Sequence, residues 1–289
     1  MADGADGADG ADARVDLADE LVRVRDVSNL ESNVIIEDDV GVIVRDGTRL
    51  STKIFRPAAD GEYPVVLALT AYGKDLGPDT YPRVARFGEQ PGFDASGIDV
   101  SPWTTWEGPD PARWVPNGYA VVYLDVRGYH GSDGDASVLS PRDAEDFADV
   151  IEWAGAQDWS NGNVGTIGVS YLAISQWAAA GLNPPNLKAM IPWEGQTDSF
   201  REVLYHGGVP ETTFTKFWLN RVNGLANTPP LPDHDVFQLI HRDPQAMAGI
   251  RDQQFIRPEL SEVPALVAAT WSDHGLHTRG SFGAFARSS

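Results

Sequence analysis

The chain has 289 residues, with 22 Lys+Arg against 42 Asp+Glu, a formal net charge of −20 at pH 7 and no cysteine. Such a charge repels a polyanion wherever salt does not screen it, which argues against a nucleic-acid partner; the lack of cysteine excludes a disulfide framework, a thiolate nucleophile and a Cys-ligated metal. Nine Trp, eleven Phe and eight Tyr exclude a disordered chain, and no uninterrupted apolar run approaches the roughly 18 residues of a membrane helix.

Residues 2–10 are three copies of Ala-Asp-Gly, and residues 1–40 hold twelve acids and three bases. This start has no basic stretch followed by an apolar one, so no secretory signal is read and a cytoplasmic location is the expectation. Residues 1–30 read as a flexible acidic tail. VGVIVRDGTRLSTKIFRP (40–57) then reads as a hairpin around Asp46-Gly47, a dipeptide that tight turns favour. From residue 62 short apolar strands alternate with helical stretches: YPVVLALT (63–70), YAVVYLDV (119–126), VGTIGVS (164–170), LKAMIPW (187–193) and VPALVAATW (263–271). Continuous apolar runs of this length suit strands buried on both faces of a mostly parallel sheet, so the fold class is α/β. Two insertions interrupt the rhythm: residues 71–117, rich in Gly, Pro and Trp, and residues 194–262, which read as a helical cap over the carboxyl edge of the sheet.

The segment WSNGNVGTIGVSYLAISQWAAA (159–180) places Ser170 between a buried strand and a helix. A serine at such a turn exposes its hydroxyl beside the N–H groups and positive dipole of the helix start, which suits a nucleophile whose adduct develops an oxyanion. The pattern is Gly168-x-Ser170-x-Leu172 rather than G-x-S-x-G, and by itself it is read more readily as a serine capping a helix. Tyr72 alone reads as a turn aromatic packing on the cap. Asp273 alone is as much a turn or N-cap residue as a catalytic acid at a strand end.

Longer blocks bear on these alternatives. GVSYLAISQW with its flanks IEWAGAQDWSNGNVGTIG and PPNLKAMIPWEG, together with RDGTRLSTKIFRP, YPVVLALTAYGKD, RWVPNGYAVVYLDVRGYHGSDG and VPALVAATWSDHGLHTRGSF, resembles the CocE/NonD hydrolase family, the cocaine-esterase and X-prolyl dipeptidyl-peptidase group of α/β-hydrolases. The resemblance covers about residues 38–289. The family's nucleophile motif is G-x-S-Y, a variable residue and usually Gly; here that last position is Ala173, small in place of small. The resemblance implies an α/β-hydrolase fold over residues 31–289, with 194–262 as cap. It implies Ser170 as nucleophile, Tyr171 N–H and the Tyr72 phenol as oxyanion hole, and Asp273 as the acid. No cofactor or metal is implied.

The family's histidine follows the acid by another helix and strand, and only 16 residues follow Asp273. On this reading the chain is truncated before that histidine and before the family's C-terminal β-sandwich, and Asp273 would orient a histidine absent from the chain. Loss of that second domain should leave apolar surface exposed. His274 and His277, beside Asp273, read as polar contacts of a helix start, and His130 as a loop residue near the site. Arg127 and Asp125 are expected to pair beneath the nucleophile. Asp143, Glu145 and Asp146 start a helix whose dipole they complement. Trp103, Trp106, Trp114, Trp193 and Trp218 read individually as packing residues with the option of lining a pocket, and Glu194 either binds an amine or holds the cap.

The expected activity is hydrolysis of acyl esters, amides or X-Pro peptides through an acyl-enzyme, with this chain inactive as it stands or dependent on a missing C-terminal polypeptide; the expected partners are a small ester, amide or short-peptide substrate and either that polypeptide or a second copy of the chain. The rival expectation is a noncatalytic binding protein that keeps the scaffold.

Overall fold

The computed structural model describes residues 23–24, 26–78, 99–229 and 256–288; most of the expected acidic tail lies outside these residues. A two-residue strand β1 (Arg23–Val24) runs parallel to a later one, β5 (Asp99–Val100). The main sheet begins with the hairpin β2 (Val34–Ile43) and β3 (Arg49–Pro57), turned at Asp46-Gly47 with Gly47 at φ 87°. It continues with β4 (Tyr63–Thr70), β6 (Ala120–Asp125), β7 (Ser160–Val169) and β8 (Leu187–Trp193). The order is β2-β3-β6-β4-β7-β8; β2, β3 and β6 pair antiparallel, and β6, β4, β7 and β8 form a parallel half.

Burial explains the strand chemistry. All six residues of β6 and the last six of β4 are buried, as an apolar run covered on both faces requires. Helix α1 (Pro111–Trp114) is a single turn capped by Asp110. Helix α2 (Pro141–Gly155) starts at Ser140, whose hydroxyl accepts from the Asp143 N–H, and turns Phe147, Val150, Ile151 and Ala154 inward. Helix α3 (Tyr171–Ala180) buries nearly all its residues between the sheet and α2. Fully buried side chains such as Trp177, Phe147 and Leu67 each contribute about 1.5–3 kcal/mol or more relative to exposure. Two further ten-residue helices, α4 (Phe214–Asn223) and α5 (Thr278–Arg287), and the helical turn Phe200–Leu204 also reach the site.

Three expectations change. The run 263–271 does lie parallel along β8, but it makes only isolated bridges, Met190 with Ala265 and Trp193 with Ala268, and forms no continuous ladder. Arg127 does not pair with Asp125: it forks onto Asp146 at 2.6 and 2.7 Å and reaches Asp46 at 2.9 Å. Asp125 is already occupied by the Lys74 N–H at 2.7 Å and the Gly131 N–H at 3.2 Å. Asp143 and Asp146 are buried rather than solvated at the helix start, Asp146 on Arg127 and Asp143 beneath the nucleophile. No helix among the described residues is long and apolar enough to cross a membrane.

Candidate active site

The carboxyl ends of the parallel strands converge on Ser170. It joins β7 to α3 with φ 58° and ψ −116°, a conformation that costs an L-residue roughly 1–3 kcal/mol and persists only where neighbours enforce it. The neighbours are specific. Ser170 N–H donates to the Trp193 carbonyl at 3.0 Å, Val169 N–H to the Glu107 carbonyl at 3.1 Å, and the Ser170 carbonyl accepts from Ala173 and Ile174 at 2.9 and 3.0 Å. Gly168 is required by close approach: a Cβ there would lie 2.4 Å from Leu172 Cβ. Ala173, the position where the family usually has Gly, is fully buried.

His277 meets this serine. Its Nε2 lies 3.0 Å from Ser170 Oγ. His277 does occupy the N-cap position of α5, but its side chain makes no cap hydrogen bond there; the residue is 4% exposed and its ring reaches Ser170 instead. The turn that aims it is built on the Asp273 carbonyl, which accepts from the N–H groups of Leu276, His277 and Thr278 at 3.3, 3.1 and 3.0 Å. The Thr278 hydroxyl donates to the Thr270 carbonyl at 2.8 Å. Helix α5 then presses on residues 195–202 so closely that a Cβ at Gly280 would come within 2.6 Å of Gln196 Cα. Burial lowers the His277 pKa to about 4, so the ring is neutral at pH 7. Nδ1 is buried without a partner.

Asp273 lines the same cavity as Ser170 and His277, yet its carboxylate makes no hydrogen bond to Nδ1. Burial raises its pKa, and burial with the nearby Asp273 charge raises that of Glu194. The structure therefore brings Ser170, Tyr72, Tyr171 and Asp273 together, and adds His277.

Tyr72 follows β4, its N–H donating to the Thr70 hydroxyl at 3.0 Å. Its phenol oxygen accepts from Trp218 Nε1 of α4 at 3.1 Å and is in hydrogen-bond contact with the side chains of Glu107 and Ser170. Burial, reinforced by the Glu107 charge, holds the phenol well above its ordinary pKa, so it is a neutral O–H donor. The Tyr171 phenol donates to Asp143 Oδ2 at 2.8 Å. Only its backbone N–H is left for the serine side, and as the first residue of α3 that N–H has no intrahelical acceptor.

Sequence reasoning missed Glu107 altogether; a glutamate in a loop of Trp, Gly and Pro carries no signal. It sits at φ 62°, and its Oε2 is closed off from solvent without a partner. Burial, with the Glu194 charge nearby, pushes its carboxyl up to about 8. Of the tryptophans, Trp106 and Trp218 line the cavity, Trp193 is 48% exposed, and Trp103 and Trp114 pack on Phe55 and Tyr119.

Two chambers meet at Ser170. One, of about 40 Å³, is walled mainly by Leu139, Ile174, Val203, Leu204, Phe214 and Leu219. The other, of about 280 Å³, carries Tyr72, Glu107, Glu194, Trp218, Asp273 and His277.

A strained serine at a strand-to-helix elbow, touched by a neutral histidine and a phenol, is the arrangement that acyl-transfer enzymes use. The X-Pro dipeptidyl-peptidase (S15) family model matches residues 46–286. The chain belongs to this family. It is 43% identical to a CocE/NonD family hydrolase of Staphylococcus aureus, with a TM-score of 0.78 over 88% of this chain and 44% of that one. Cocaine esterase of Rhodococcus sp. (strain MB1 Bresler) is 34% identical over 179 residues, 62% of this chain and 27% of that protein. An Xaa-Pro dipeptidyl-peptidase of Lactobacillus helveticus is 34% identical over 92 residues, 27% of this chain and 12% of that one. The chain thus spans less than half the length of these relatives. Its fold is that of the α/β-hydrolases, and the family is one of serine esterases and X-Pro peptidases. A noncatalytic binding module is not favoured.

Proposed function

We propose that the chain is a serine hydrolase working through Ser170 and His277. Ser170 Oγ attacks the carbonyl of an ester or amide while its proton passes to His277 Nε2. The tetrahedral oxyanion takes hydrogen bonds from the Tyr72 O–H and the Tyr171 N–H. The carbon–leaving-group bond then breaks, the leaving alcohol or amine takes the proton from His277, and a water activated by the same ring hydrolyses the acyl-enzyme. Asp273, which lines the same cavity four residues before His277, is in this reading the carboxylate that supports the imidazolium as it forms, with Nδ1 free of it in the resting state. The mechanism invokes no metal or cofactor.

The observation that carries this reading is the 3.0 Å contact between His277 Nε2 and Ser170 Oγ at the strained elbow. The narrow apolar chamber favours substrates with a small apolar acyl group, small esters before peptides; of the expected cap, residues 194–229 and 256–262 are described and 230–255 lie outside the described residues. The test is release of nitrophenol from a short-chain nitrophenyl ester by the wild type and by Ser170→Ala. The wild type turns the ester over and the variant loses about 10³-fold or more; equal rates would remove Ser170 from the reaction.

A further inference from the structure

Tyr72 can serve the oxyanion only if its single O–H points there. Its oxygen has one proton and two lone pairs, and Trp218 Nε1–H takes one lone pair at 3.1 Å. The proton is contested between the Ser170 side, where the oxyanion forms, and the Glu107 carboxyl. An ionised Glu107 is an acceptor only and would capture the phenol proton. A neutral Glu107 can donate into the remaining lone pair, leaving the phenol O–H turned toward Ser170 and polarised by two incoming donors.

We propose that Glu107 is a positioning residue for the oxyanion hole: as a neutral carboxylic acid it holds the Tyr72 oxygen from behind and directs the phenol O–H at the oxyanion. This rests on the Ser170 reading above. The loop carrying Glu107 is fixed to the nucleophile's own strand by the Val169 N–H to Glu107 carbonyl bond at 3.1 Å, and the residue is held at φ 62°. Its Oε2 is solvent-inaccessible and has no hydrogen-bond partner among the described residues, and the side chains that hydrogen-bond the carboxyl, Tyr72 and Trp106, are neutral. The titratable and charged groups facing it across the cavity are Tyr72, Glu194, Asp273, His277 and Arg221. Burial and the negative neighbour Glu194 favour the neutral form at pH 7, with a pKa of about 8.

The test uses the wild type, Glu107→Gln and Glu107→Ala between about pH 6 and pH 10, with two readouts. The first is the infrared carboxyl band of wild type minus Glu107→Gln, which reports protonation whether or not the protein turns over substrate. A protonated-carboxyl band at pH 7 that disappears with a midpoint near 8 is expected; its absence at pH 7 overturns the proposal. The second is the rate of Ser170 acylation by an activated nitrophenyl ester. Wild-type acylation should fall about tenfold or more as pH rises past the midpoint. Glu107→Ala should lose about 10²-fold at pH 7, the scale of one oxyanion donor, while Glu107→Gln, which still donates and cannot ionise, should recover most of that loss and show no alkaline fall. An alkaline fall that persists in Glu107→Gln, or a Gln variant as slow as the Ala one, overturns the proposal. A wild type that is never acylated overturns the Ser170 reading and this role with it, and the infrared band separates that failure from a mistaken protonation state.

Discussion

The proposed mechanism needs a base that holds an unprotonated nitrogen against Ser170, and burial keeps the His277 ring in that state. Its pKa of about 4 lies below the ordinary 6.5 because the interior disfavours the cation. Unfolding frees the ring to bind a proton, so stability is intact above about 6.5 and is lost as pH falls from there through about 4. Acylation should follow the same group: its acid limb is expected near 4 to 5 in single-turnover measurements under conditions where circular dichroism shows the chain folded. An acid limb near 6.5 would mean that the ring is solvated. The place of Ser170 between a strand and a helix was legible from the residue pattern, and the presence of Tyr72 beside it from family resemblance. The contact of His277 with Ser170 was not, because nothing in a residue pattern tells that a histidine four positions from the expected acid reaches the end of another strand. The turn wrapped on the Asp273 carbonyl, which lets it do so, leaves no mark in the residue pattern.

Between elements, the nucleophile's helix is tied to α2 by a buried hydrogen bond, Tyr171 O–H to Asp143 Oδ2 at 2.8 Å. Burial raises Asp143 to about 7 despite that bond, so the fold prefers the protonated acid. Its contribution is complete below about 3.8 and is lost as pH rises through about 7. Asp143→Asn keeps an acceptor for Tyr171 and cannot ionise, so at pH 8 it should melt several degrees above the wild type, a gain of about 4 kcal/mol at most, and the advantage should vanish near pH 4. A variant less stable than wild type at pH 8 would show that the charge is compensated. Strand and helix positions were largely legible here because β4, β6 and β8 are apolar runs with clear ends. Ion pairing was not: Arg127 and Asp125 are two residues apart in sequence, yet the guanidinium crosses to α2 and the β2–β3 turn because backbone N–H groups already fill the Asp125 carboxylate.

Across the whole molecule, the sheet places Tyr72, Ser170, Glu194 and Asp273 at one edge, the ends of β4, β7 and β8 and of the run beside β8, which is where α/β folds assemble their sites. That last run pairs with β8 only through isolated bridges. Leu266 and Trp271 on it and Phe285 on α5 are 66, 73 and 68% exposed, and His277 approaches Ser170 from the same region. The central claim is that this chain holds its own base there. The direct measurement is the rate of covalent labelling by an organophosphonate serine probe, followed by intact mass in the wild type, Ser170→Ala and His277→Ala, each checked for folding by circular dichroism. The account predicts one label per wild-type chain, none on Ser170→Ala, and labelling of His277→Ala slowed by about 10²–10⁴-fold. Wild-type labelling that is absent in the folded chain, or labelling that proceeds equally fast without His277, would contradict it.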